Sequence, residues 1–89
     1  MARKNNKKPS QRAIAAIKRD HPEVPVTMAN EGYAELCGGA ILVDHSTSQL
    51  TCEDLEIWQM GLKHWSQDEW VMRILEIAAM VRAKKEITG

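Results

Sequence analysis

The stretch that most restricts the fold is SQDEWVMRILEIAAMV, residues 66–81. Ser66 followed three positions later by Glu69 is a capping-box pattern, set just before an apolar run. The spacing predicts a helix over about 67–85, with Trp70, Ile74, Ile77 and Val81 as its main stripe. Glu69 and Arg73 stand four apart in the favourable order for an ion pair. Between residues 70 and 81 only Arg73 and Glu76 are charged. A helix with so little polar surface needs cover on more than one side. Either the other elements wrap it, or a second face meets a partner or another copy of the chain. Trp65, Trp70, Met72, Ile77 and Met80 are the candidate contact residues, and a symmetric homodimer is the expected assembly.

The preceding segment, CEDLEIWQMGLKHW at 52–65, also fits a helical period. Leu55, Trp58, Leu62 and Trp65 recur at that spacing, Thr51 and Asp54 suggest a capped start, and the acids fall in the first turn, where the dipole favours them. Two helices meeting at the SQDE break predict a C-terminal αα-hairpin. Near the other end, Ser10 reads as a helix cap after Pro9. QRAIAAIKRD then forms a short amphipathic helix, with Ala13, Ile14, Ala16 and Ile17 inward, that ends at HPEVP.

Residues 26–43 admit two readings. One is a helix from Thr27 to Gly38. The other is a β-hairpin with a turn at Asn30-Glu31-Gly32, Gly32 left-handed, and Pro25 at an edge. The fold class expected is therefore mainly α: one small helical domain over 10–89 behind a disordered basic tail at 1–9. The alternative is an α+β fold with a short hairpin at about 24–43. At 89 residues the chain makes a single domain, of net stability on the order of 5 kcal/mol.

Formal net charge is zero, but the charges are segregated. Residues 1–19 carry seven bases (Arg3, Lys4, Lys7, Lys8, Arg12, Lys18 and Arg19) and no acid. Residues 20–72 carry ten acids and a single base, Lys63. A basic head of this kind gains affinity for nucleic-acid phosphates by releasing counterions. It can equally be a solvated tail or meet an acidic protein surface. The leading expectation is a small non-enzymatic regulatory protein that binds nucleic acid through those seven bases. The alternative is an interaction module or inhibitor that meets a partner protein through the acidic body and the Trp- and Met-bearing C-terminal helices.

Other chemistry finds little support. Cys37, His45, Cys52 and His64 are ligand types, but no C-x-x-C or H-x-x-x-H pair anchors them, so no metal or cofactor is expected. A nucleophile pair of Cys37 or Cys52 with His45 lacks an oxyanion signature. The CGG at 37–39 lacks the Lys-Ser/Thr ending of a phosphate loop and reads as a helix end or a bulge. No apolar run approaches the roughly 20 residues of a membrane span, and no signal peptide is evident. A cytoplasmic protein with reduced thiols, off the membrane, is the expectation.

Overall fold

The computed structural model describes residues 7–88, with side chains through Glu86. Helix α1 spans Pro9–Asp20. Five strands follow: β1 Val26–Ala29, β2 Tyr33–Leu36, β3 Ile41–Asp44, β4 Gln49–Cys52 and β5 Ile57–Gln59. Helix α2, Gln67–Thr88, closes the chain. The strands lie in sequence order and each pairs antiparallel with the next. The fold is thus α+β, an antiparallel meander with two helices on one face. The mainly helical expectation and its C-terminal αα-hairpin are overturned. The hairpin alternative holds only in part, since it captured two of the five strands.

The reason for the error lies in residues 49–59. Gln49, Leu50, Thr51 and Cys52 alternate outward and inward, and Leu50 and Cys52 are fully buried. That period-2 pattern is a strand half buried on one face. A 3-10 turn at Glu53–Leu55 follows, and Glu56 takes a left-handed conformation (φ 56°, ψ 44°) that ends it. The chain then returns as β5, which places Trp58 outward, 57% exposed. Leu55, Trp58, Leu62 and Trp65 match a helical period by coincidence. Thr51 lies in β4 and caps nothing.

Residues 26–36 form the β1–β2 hairpin rather than a helix. The Asn30 side chain shapes its turn, accepting hydrogen bonds from the N–H groups of Gly32 (2.7 Å) and Tyr33 (2.9 Å). Gly32 is not left-handed; the asparagine does the work a left-handed glycine would otherwise do. Positive φ is found at 37–39 instead, where Cys37, Gly38 and Gly39 have φ of 56°, 70° and 94°, and at Gly61 (φ 67°). A Cβ added at Gly38 would meet nothing within 4 Å, so the residue is set by backbone conformation and not by crowding.

The core lies between the sheet and the helices. Ala34, Leu36, Ile41, Val43, Leu50 and Cys52 project from the sheet. They meet Ala13, Ile14 and Ile17 of α1 and Trp70, Ile74, Ile77 and Val81 of α2. The capping box forms as the sequence predicts, with Ser66 N–H donating to Glu69 Oε1 (2.8 Å) and Glu69 N–H to Ser66 Oγ (3.2 Å). Glu69 is thereby committed, and Arg73 pairs with Glu76 (2.7 Å) and donates to Gln59 Oε1 of β5 (2.9 Å). The expected Glu69–Arg73 pair is replaced. No described helix is long and apolar enough to cross a membrane.

Candidate functional site

Helix α1 begins one residue earlier than Ser10. Lys8 takes the cap position and Pro9 the first helical position, where its missing N–H costs nothing. Ser10 is therefore inside the first turn and 2% exposed. Its hydroxyl does not cap; it shares a 2.8 Å hydrogen bond with His45 Nδ1 at the β3–β4 turn. His45 is 3% exposed. Burial pushes its imidazole below the ordinary range and the Lys8 charge lowers it further, partly offset by Asp44. Lys8 Nζ donates to the His45 carbonyl (2.9 Å), so the start of α1 is tied to this turn twice. Asp44 accepts from Ser46 N–H, Ser46 Oγ–H and Thr47 N–H, which hold its carboxyl below the usual range.

The same end of the molecule gathers several bases, with Asp68 and Glu69 of the first turn of α2 beside them. Arg12 Nη1 donates to the Lys7 carbonyl (2.6 Å), and its Nε donates to Gln67 Oε1 (3.3 Å) in the first turn of α2. The two helices thus start side by side, with the positive ends of both dipoles together. Lys63, from the loop before α2, borders the same small cleft as Lys8. Sequence reading filed Lys63 as a lone base in the acidic body; only the chain's return brings it to the basic head. Lys18 and Arg19 are exposed farther along α1, roughly 9–10 Å from Arg12 at 1.5 Å per residue. Arg19 is engaged with Asp20 (2.9 Å), which raises the guanidinium and lowers the carboxyl. Arg3 and Lys4 lie outside the described residues, as does most of the expected tail.

The expected contact residues separate into two groups. Trp70 and Ile77 are in the core, and Trp65 is half buried with its ring edge-on to Trp70, centroids 5.2 Å apart. Met72 (71% exposed) and Met80 (38%) lie on the outward side of α2. The open face of the sheet carries a row of paired residues: Met28, Glu35, Leu42, Thr51 and Trp58. Exposed Tyr33 flanks it. Sequence reading missed this face entirely, because it placed most of its residues in helices.

An apolar groove of about 960 Å³ separates the second half of α2 from the segment after α1, with Val24, Cys37, Ala78 and Val81 in its walls. Burial pushes the Cys37 thiol up, and the neighbouring Cys52 adds to this against the opposing charges of Lys85 and Arg82. A raised thiol is a poor nucleophile at neutral pH. His45, its suggested partner, is engaged with Ser10. Among the described residues no group of three or more His, Cys, Asp or Glu is placed to hold a metal ion.

Fold and site together define a two-layer α+β domain with a basic end on its helix layer. No family model, no curated protein and no solved structure matches the chain.

Proposed function

We propose that this protein is a small, non-enzymatic nucleic-acid-binding regulator that meets the phosphate backbone with the basic end of its helix layer. The observation that carries the reading is the grouping of Lys7, Lys8, Arg12 and Lys63 where both helices begin. Arg3 and Lys4 precede this group directly in the chain. The bases and the acid-free start of α1 together form a surface suited to phosphate oxygens. The acids of the 53–56 segment belong to the β4–β5 connection, but Asp68 and Glu69 stand in the first turn of α2 beside the basic group, with Glu69 held in its cap with Ser66, so the phosphate contacts fall to the start of α1 and Lys63. A homodimer would present two such ends and raise affinity for a polyanion through effective concentration.

Anisotropy titrations of labelled single- and double-stranded DNA and RNA test the reading. Binding should weaken with salt, by about 0.7–0.9 in log K per log salt for each phosphate contacted. Replacing Lys7, Lys8, Arg12 and Lys63 with Gln should lower both affinity and slope more than replacing Lys18 and Arg19. Absence of binding at low salt refutes it.

A second reading, a protein-interaction module, draws on exposed Met72 and Met80 of α2. Methionines adapt to partner surfaces, and two exposed on one helix are a candidate contact. Binding of that kind would tolerate salt and fail in Met72→Glu.

A further inference from the structure

The cleft between the start of α1, the β3–β4 turn and the loop before α2 has a volume of about 330 Å³, near the lower limit for small-ligand sites. Lys8 and Ser10 line it from α1, Ser46 and Ser48 from the turn, Lys63 from the loop and Trp70 from α2. No carboxylate is among its lining residues. Asp44, the nearest acid along the turn, faces the hydrogen bonds of its own loop.

One buried donor here lacks an acceptor. Ser48 is only 5% exposed and lines the cleft, yet its hydroxyl has no partner among the described residues. Trp70, 1% exposed, forms part of the cleft wall. A buried donor left unpaired costs about 1–3 kcal/mol, so the Ser48 hydroxyl favours an acceptor in this cleft. Ser48 also holds a left-handed backbone, φ 55°, a conformation that non-glycine residues seldom take. The start of α1 adds the positive end of its dipole, with no acid in its first turn.

We infer that this cleft seats one phosphate group, held by the Lys8 and Lys63 ammonium groups, the Ser48 hydroxyl and the start of α1. The lining offers positive charge and donors from three separate chain segments. A tetrahedral oxyanion, whose acceptors point in several directions, fits this better than a planar carboxylate. Where the phosphate belongs to a nucleic-acid backbone, the inference deepens the function proposed above; as a site for free phosphate it stands without that function.

The test is an NMR titration of the intact, ¹⁵N-labelled protein with inorganic phosphate, against chloride at matched ionic strength, and in parallel with a short single-stranded oligonucleotide. Saturable shifts at Ser10, Ser48, Lys63 and the Trp70 indole are expected with phosphate. Lys63→Gln should raise Kd roughly tenfold, the loss of one charge-assisted hydrogen bond. Ser48→Ala should raise it roughly two- to tenfold. Lys63 is exposed, so its variant tests the site even if Ser48→Ala disturbs the turn. The same shifts with the oligonucleotide identify a backbone phosphate as the source. Shifts with phosphate alone identify a free phosphate and count against the nucleic-acid reading. Non-saturating shifts spread over all lysines and unchanged by Lys63→Gln overturn the site, as does oligonucleotide binding that leaves the cleft residues unmoved; the latter keeps the nucleic-acid reading intact.

Discussion

Replacing His45 with Asn should flatten the dependence of stability on pH between 7.5 and 5.5. The imidazole is 3% exposed and burial lowers its proton affinity in the folded chain, whereas the unfolded chain binds a proton at about pH 6.5. A group with a depressed folded pKa and a neutral unprotonated form destabilises the fold as pH drops. Below about 6.5 the unfolded state gains a proton that the native state does not, and the penalty grows until the lower folded pKa is passed. If His45 stays neutral throughout, one proton of difference costs up to about 1.4 kcal/mol between pH 7.5 and 5.5. Against a total on the order of 5 kcal/mol this is a measurable fraction. The amide of Asn can still reach Ser10, so the tie between α1 and the turn is largely retained. Asp20 and Asp44, whose carboxyls are lowered, lose their contribution only near and below about pH 4, outside this window. His21 and His64 are common to both proteins and cancel in the comparison. Urea midpoints for the two proteins at several pH values, in buffers free of phosphate, measure the difference. Equal losses of stability in wild type and His45→Asn refute the account of His45 as a buried neutral histidine.

The two sides of α2 should respond differently to truncation. Ile77→Ala, in the core, should cost about 2–5 kcal/mol and leave a protein of this size close to unfolding, whereas Met72→Ala should stay within about 0.5 kcal/mol; thermal melts followed by circular dichroism distinguish them, and similar losses would place Met72 against a hidden partner surface. Gly38→Ala should cost about 1–2 kcal/mol although space is open around it, because its φ of 70° is unfavourable for any Cβ; an unchanged denaturation midpoint would show that the 37–39 turn relaxes to another conformation.

Local sequence determined those features whose energetics are local. The start of α2 is legible because Ser66 and Glu69 satisfy each other's backbone donors within four residues. The end of α1 is legible because Pro22 and Pro25 restrict any continuation. The inward stripes of both helices follow from a 3.6-residue period, and the charge segregation is a property of the chain itself. The sheet was not legible in this way. Strands of three or four residues give too few alternations to outweigh a competing helical match, and Leu55, Trp58, Leu62 and Trp65 supplied such a match. Whether Trp58 faces inward or outward depended on its pairing with Thr51, a contact that forms only across β4 and β5.

The candidate site divides along the same line. Arg3, Lys4, Lys7, Lys8 and Arg12 stand out in sequence as a basic head, but nothing in the sequence joins them to Lys63 or to Ser48, about forty to sixty positions away. Ser10 looked like a cap because its type and place suit one. The partner that claimed it, His45, is 35 residues distant. The sequence alone determined how much charge and apolar surface each segment carries. Tertiary structure decided which segments share them, because a half-buried strand or a buried hydroxyl is satisfied only by groups that the rest of the fold brings to it.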